Sequence, residues 1–286
     1  MNSTSHQERS PRAARQSAPT ADTFPKLLRR NAQLRGRRPA IRQKDRGIWK
    51  TWSWAEAYAK VRALAVSLKK LGVERGSKIA IVGSNRPQLY WTMTAAQMLR
   101  AVPIPIYADA VAAEMAYVLG HADVTLIVVQ DQEQVDKILS IAGELKALEY
   151  VLYDEERGLD GYDHSKLRAI GALIAAGEAE LASSAEAAAA MDAEIDAGQG
   201  ADISVILYTS GTTGLSKGVV LSAQGCIDAA NDTVSFDRLT DHDEQLAYLP
   251  LAWAGAMIWA TTDSRLGRVG AGLAVLALAG FGGAIA

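Results

Sequence analysis

The sequence predicts an α/β fold: a layered, largely parallel β-sheet with helices on both faces. Three observations carry this. Short apolar, β-branched runs alternate with amphipathic helical stretches from about residue 78 to residue 153. The apolar runs are nearly continuous rather than alternating, as strands buried on both faces require. Gly, Pro, Asn and Ser mark the junctions.

In chain order, the first twenty or so residues are rich in Ser, Pro, Arg and Ala and read as a disordered, mildly basic tail. They contain no apolar central segment of the kind a secretory signal needs. Structure is expected from about Thr23, with Phe24–Arg30 as a short amphipathic helix. Ala40–Gln43 and Ile48–Trp52 flank Asp45-Arg46-Gly47, a hairpin pattern. Ser53 or Thr51 is placed to cap a helix over Trp54–Leu71, whose apolar residues recur at three- and four-residue steps and which Gly72 ends. Trp49, Trp52 and Trp54 read as core packing.

Lys78–Val82 is the first central strand. Ser84 and Asn85 ahead of Pro87 signal the start of a helix over Gln88–Ala101. Gly83-Ser84-Asn85 lacks the spacing of a dinucleotide loop and reads as a structural turn. Val102–Tyr107 is a strand whose prolines confine it to an edge or to its own start. Next come a helix Ala112–His121, a strand Val124–Val129, a helix Gln132–Leu145 and a strand Tyr150–Tyr153. Residues 154–200 are turn-rich at first. They then carry an Ala/Glu run, Glu178–Ile195, that reads as one strong helix closed by Gly198-Gln199-Gly200. A helix Ala223–Val234 and a strand Gln245–Leu249 complete the pattern.

Composition narrows the function. The 286 residues are 49% hydrophobic, enough for one large domain or two small ones. A net charge of −2 gives no basis for nucleic-acid binding. The single cysteine, Cys226, excludes an internal disulfide and reads as a small packed residue on a helix. The four histidines (6, 121, 164 and 242) have no metal-ligand spacing and read as surface or loop residues.

The chemistry concentrates in Tyr208-Thr-Ser-Gly-Thr-Thr-Gly-Leu-Ser-Lys-Gly218. A strand expected to be buried, Asp202–Leu207, precedes it and a second, Val219–Leu221, follows. Gly211, Gly214 and Gly218 let the backbone turn and approach a ligand, and amides in such a turn form an anion nest. Thr209, Ser210, Thr212 and Thr213 add hydroxyl donors, and Lys217 adds a mobile cation. A flexible surface linker rarely sits between two β-branched runs. A Walker A loop would need Gly-Lys followed by Ser or Thr, whereas Lys217 stands three residues beyond Gly214 and precedes Gly218.

This run resembles the signature loop of the adenylate-forming superfamily, matching Thr-Ser-Gly-Thr-Thr-Gly-x-Pro-Lys-Gly from Thr209 to Gly218 except at Ser216, where the family usually has Pro. Losing that Pro loosens the loop without removing a phosphate ligand. Softer phrases, including Asn85-Arg-Pro-Gln-Leu-Tyr-Trp91 and Glu244-Gln-Leu-Ala-Tyr-Leu-Pro-Leu-Ala-Trp253, resemble bacterial long-chain fatty acyl-CoA synthetases. The resemblance covers roughly residues 22–253. It implies an ATP-dependent ligase that adenylates a long-chain fatty acid and passes the acyl group to coenzyme A, with Mg2+ as the metal. The N-terminal residues, without an apolar signal segment, read as those of a cytoplasmic protein, with an organelle transit peptide and peripheral membrane association as alternatives. Thr209 to Gly214 would embrace the phosphates, with Lys217 as an ancillary cation. Trp253 would wall or gate the acyl channel, unless it is simply a buried Trp.

The resemblance divides the chain into a tail (1–21), a partial adenylation domain (22–253) and an Ala/Gly-rich apolar tail (254–286). The magnesium motif, the adenine and ribose contacts and the catalytic lid of the family have no counterpart here. The chain therefore reads as an incomplete, truncated or frame-disrupted product, inactive by itself, with open sheet edges and exposed apolar faces expected. A non-catalytic nucleotide-binding remnant and a membrane-tethered interaction protein are the alternatives. Val269–Ala286 reaches the lower length limit of a membrane span, but its glycines and alanines make it a weak one; it reads first as a disordered or aggregating tail, with a packed helix and a tail anchor as alternatives.

Overall fold

A computed structural model of the chain describes residues 21–210, 215–240, 243–244 and 247. The expected N-terminal tail, the strand around Gln245–Leu249 apart from Ala247, and the C-terminal tail fall outside them.

The first helix, α1 (Phe24–Arg35), begins at Thr23, whose hydroxyl accepts from the Lys26 amide, with Pro25 in the first turn. It runs five residues past the expected Arg30. Strands β1 (Pro39–Asp45) and β2 (Ile48–Ser53) form the expected hairpin. Arg46 and Gly47 both have positive φ (48° and 86°), the conformation a two-residue I′ turn requires.

Helix α2 (Trp54–Lys70) is capped by Ser53 and not Thr51. The Ser53 Oγ accepts from the Glu56 amide while Glu56 Oε2 accepts from the Ser53 amide, a reciprocal capping box. Only part of the tryptophan cluster is core. Trp54 is buried and Trp52 half-buried, but Trp49 is 60% exposed, with the Lys44 ammonium 6.0 Å from its ring. Trp49 stands near the hairpin turn, beyond the reach of the helices that cover Trp54.

The central sheet has five parallel strands: β3 (Lys78–Val82), β4 (Val102–Ile106), β5 (Leu126–Val129), β6 (Tyr150–Tyr153) and β7 (Leu167–Ala169), in the order β4-β3-β5-β6-β7. The period-2 alternation of side chains divides them between two cores. Ile79, Ile81, Leu126, Val128 and Leu152 join α1, α2 and helix α3 (Pro87–Met98). Ala80, Val82, Ile127, Val129 and Val151 join α4 (Ala112–His121) and α5 (Gln132–Ile141) on the other face. The expected helices on both faces are thus present.

Several boundaries differ. The residue before α3 is Arg86, with no side-chain cap, because Ser84 and Asn85 are engaged elsewhere; Pro87 nevertheless opens the helix as expected. The helix stops at Met98, since Arg100 takes a left-handed conformation (φ 56°). The expected run from Gln132 to Leu145 is α5 followed by a 3-10 turn, Ala142–Glu144. The Ala/Glu run is two helices, α6 (Ile170–Ser183) and α7 (Ala185–Ala197), rather than one. Ser184, in extended conformation, separates them and caps α7 by accepting from the Ala187 amide. Ser and Ala differ little in a composition count, but the hydroxyl offers the backbone a non-helical alternative.

Helix α6 lies on α2 at very short range. A Cβ built on Gly177 would come within 1.9 Å of the Ala63 carbonyl oxygen. Nearby, the Ser67 hydroxyl donates to the Leu173 carbonyl at 2.6 Å.

Strands β8 (Ile203–Ser210) and β9 (Ser216–Ser222) form a separate antiparallel hairpin, followed by α8 (Ala223–Phe236), which Ser222 caps through the Gly225 amide. β8 lies beside β4 but joins no ladder with it. The Val102 amide points to β3, bonding the Ser77 carbonyl at 2.8 Å. By parallel alternation the amides of residues 103 and 105 would point towards β8, and both are prolines. β4 is therefore an edge of its ladder, as its sequence predicts.

Cys226 is buried on α8, as expected, and burial pushes its thiol up to about 12. A folded state that retains the proton this firmly is destabilised only as pH climbs above the ordinary thiol value. Native protein at pH 8 should resist a thiol-specific reagent, with labelling completed on unfolding in urea; rapid native labelling would contradict this burial.

Candidate nucleotide-phosphate site

The phosphate-type sequence occupies the free end of the β8–β9 hairpin. Its register is Tyr208↔Gly218, Thr209↔Lys217 and Ser210↔Ser216. The strands reach further than expected, so Thr209, Ser210, Lys217 and Gly218 stand in the ladder. Gly211, Thr212, Thr213, Gly214 and Trp253 lie outside the described residues.

Directly paired residues share one face of a ladder. Thr209 and Lys217 therefore project from the same side, and both are exposed. Among the described residues Lys217 has no ion-pair or hydrogen-bond partner, which leaves its ammonium available beside the Thr209 hydroxyl. Tyr208 and Gly218 face the other way. A Cβ at Gly218 would meet Ile206 Cγ2 at 3.0 Å and Tyr208 Cζ at 3.4 Å, so this glycine makes room for the neighbouring strand's side chains. Gly218 has an extended backbone, and its packing explains it without reference to a ligand.

The Tyr208 hydroxyl lies 2.7 Å from His121 Nδ1 at the end of α4. Burial, with Tyr117 alongside, pushes the phenol above its ordinary value, so it keeps its proton at neutral pH. His121 is exposed, as its sequence suggests, but it is joined to the strand that carries the phosphate-type run. Nothing in its spacing pairs it with residue 208, 87 positions away.

The expectation of a buried strand before the loop needs correction. Ser204 and Val205 are buried, whereas Ile203 is 41% exposed, and on β9 Val219 and Val220 are 43% and 56% exposed. The hairpin stands at the sheet's margin, so only its root is covered. Exposed apolar faces are what the sequence leads one to expect.

Two other places were candidates by geometry. The strand order changes direction between β3 and β5, where open parallel sheets commonly bind ligands. Here Ser84 donates from both its amide (2.7 Å) and its hydroxyl (2.6 Å) to Gln130 Oε1, and Asn85 Nδ2 donates to the Ala247 carbonyl at 2.7 Å. Gly83-Ser84-Asn85 is a structural turn, as expected, with its polar groups bonded to Gln130 and Ala247. The second is a cleft of about 300 Å³ lined by Lys69, Arg75, Arg100 and Glu194. Two of its cations are spent on its own carboxylate, with Glu194 accepting from Lys69 at 2.7 Å and Arg100 at 2.9 Å, and Arg75 pairs with Asp202 at 3.4 Å. Burial works against ionisation of Glu194, but these bonds hold its carboxyl below the usual range.

The hairpin's sequence and placement set a specific question of kinship, and the profile of the AMP-binding enzyme family answers it by matching residues 28–264. The chain belongs to the AMP-binding enzyme family. Its relatives include the human long-chain-fatty-acid–CoA ligase ACSBG2, 29% identical over 244 residues, covering 84% of this chain and 35% of the relative. Fatty acyl-CoA synthetase A of Dictyostelium discoideum is 28% identical over 224 residues, covering 76% of this chain and 32% of the relative. This AMP-binding chain thus spans about a third of the length of these relatives. Among solved structures, acetoacetyl-CoA synthetase from Streptomyces lividans superposes with a TM-score of 0.70 at 21% identity, over 84% of this chain and 37% of that one. The fold is that of adenylate-forming CoA ligases, and the matches extend well beyond bacteria.

Among the described residues no group of three or more His, Cys, Asp or Glu side chains could hold a metal ion. Among the described residues no helix is long and apolar enough to cross a membrane.

Proposed function

We propose that this chain carries the phosphate-gripping part of an ATP-dependent long-chain fatty acid–CoA ligase. In that reaction a fatty-acid carboxylate attacks the α-phosphate of ATP, releasing pyrophosphate, and the thiol of coenzyme A then displaces AMP from the acyl-adenylate. The single observation behind the reading is the exposed face of the hairpin, where Lys217, with no side-chain partner among the described residues, stands opposite Thr209 in the ladder. A cation and a hydroxyl donor on one face of a ladder stabilise phosphate oxygens both in the bound nucleotide and during in-line displacement. The family relationship and the ligase names of the relatives support the substrate class.

The protein's own contributions are specific. Lys217 supplies charge, Thr209 supplies a hydroxyl, and the β8–β9 ladder fixes their separation. Gly211, Thr212, Thr213, Gly214 and the hydroxyl of Ser210 belong to the same proposed phosphate grip, and Trp253 to the acyl channel.

The test is equilibrium binding of ATP to the 286-residue protein, alongside pyrophosphate release with palmitate and ATP. Lys217→Ala is expected to weaken ATP binding about tenfold or more, the value of a hydrogen bond to a charged group. Unchanged affinity in Lys217→Ala would remove the phosphate role of that residue. Tight ATP binding without pyrophosphate release would instead identify a nucleotide-binding module.

A further inference from the structure

The hairpin bearing the proposed phosphate grip is fastened at its root and again near its tip. At the root Gln97 Nε2 donates to the carbonyl and hydroxyl of Ser204, at 3.0 and 2.9 Å. Between root and tip the prolines of β4 deny β8 a ladder. Near the tip the contact is aromatic. The His121 and Tyr208 rings meet edge to face, with centroids 5.8 Å apart and planes at 87°, and the 2.7 Å bond joins Nδ1 to the phenol. Tyr117, one turn earlier on α4, stacks on His121 at 5.7 Å and 27°. Tyr208 also reaches across the ladder over Gly218 and immediately precedes Thr209.

We propose that His121 and Tyr208 form a clamp that fixes the tip of the β8–β9 hairpin against α4, and so act as positioning residues for the phosphate grip. One bond either way joins them: the phenol O–H donates to a bare Nδ1, or Nδ1–H donates to the phenol oxygen. Tyr208 translates that bond to both strands, being continuous with Thr209 and packed over Gly218, whose neighbour is Lys217. Loss of the clamp leaves Gln97–Ser204 holding the root while the tip swings. Thr209 and Lys217 then no longer keep a fixed place relative to the sheet. The inference rests on the phosphate reading above for its consequence but not for its geometry.

The experiment compares ATP affinity, melting temperature and amide hydrogen exchange in the full chain and four variants. Tyr208→Phe keeps the ring over Gly218 and removes only the hydroxyl. His121→Ala removes both the bond and the stack, and His121→Asn retains a polar nitrogen near the Nδ1 position. The fourth variant is the double mutant of His121→Ala with Tyr208→Phe. Each of Tyr208→Phe and His121→Ala is expected to weaken ATP binding about fivefold, the net worth of one hydrogen bond. The double mutant is expected to be no weaker than His121→Ala alone. His121→Asn should recover most of the affinity, and melting temperatures should stay within about 2 °C, as for exposed substitutions. Unchanged affinity in the single variants, or losses that multiply in the double, would overturn the clamp. If the unaltered protein binds no ATP, the phosphate reading fails separately. The clamp is then judged by exchange: faster exchange confined to residues 206–209 and 216–219 in His121→Ala upholds it, and unchanged exchange there overturns it.

Discussion

Gly177→Ala is expected to lower the melting temperature by about 4–8 °C, a net loss of about 2 kcal/mol for a domain of this size. Two effects compete. An alanine in a helix interior gains up to about 1 kcal/mol over glycine through backbone entropy. Against this, the new methyl would lie 1.9 Å from the Ala63 carbonyl oxygen, 2.6 Å from its carbon and 2.9 Å from its Cα. These are backbone atoms of another helix and cannot turn aside as a side chain would. α6 must lift from α2, opening the contact along its length, and overpacking of this kind costs about 3 kcal/mol. The clash wins. Gly171, on the same helix, has nothing within 4 Å of its built Cβ. Gly171→Ala should therefore leave stability unchanged or raise it by up to about 1 kcal/mol. Thermal melts of the two variants followed by circular dichroism decide the matter, and equal melting temperatures would show that α2 and α6 do not pack at this distance.

Trp91→Ala is the more damaging change, with an expected loss of about 4 kcal/mol in urea unfolding. Trp91 lies on α3 and is 2% exposed. It receives Trp52 edge-on at 5.5 Å and 85°, and the Lys60 ammonium sits 5.8 Å from its ring. Removing it empties a large space beneath the β1–β2 hairpin and leaves Trp52 without its partner. Among the described residues the indole nitrogen has no hydrogen-bond partner, so Trp91→Phe sacrifices packing only. That variant should retain more than half the lost stability. A similar loss in both would assign the indole nitrogen a role that this geometry does not show.

The central strands were legible because burial on both faces writes itself as uninterrupted apolar runs. Lys78–Val82 and Tyr150–Tyr153 match β3 and β6 end to end, and Ala112–His121 matches α4. What escaped has physical causes. β7 is three residues long, too short for any period to show. α6 contains Gly171 and Gly177, which depress helix propensity, and Gly177 is present for the contact with Ala63 that no single segment reveals. The break at Ser184 is hidden inside an alanine-rich run.

The candidate site was legible as chemistry and less so as geometry. Residue types identified Thr209 and Lys217, but not that they face each other across a ladder. Gly218 read as a phosphate-loop glycine, and the structure gives it a packing role beneath Tyr208. His121 carried no local pattern at all, because its partner is distant in sequence and near only in the folded chain.

The two prolines of β4 have a mechanical consequence. Sliding or tilting the adjoining two-stranded arm ruptures no main-chain bond of the parallel sheet, since no amide at 103 or 105 reaches across. Between β4 and β8 no ladder crosses the seam, and Gln97 and the His121–Tyr208 pair bridge the hairpin to the helices beside it. The element bearing the lysine and threonine is thus coupled to a rigid body through a compliant joint, and its stiffness is set by a few replaceable groups.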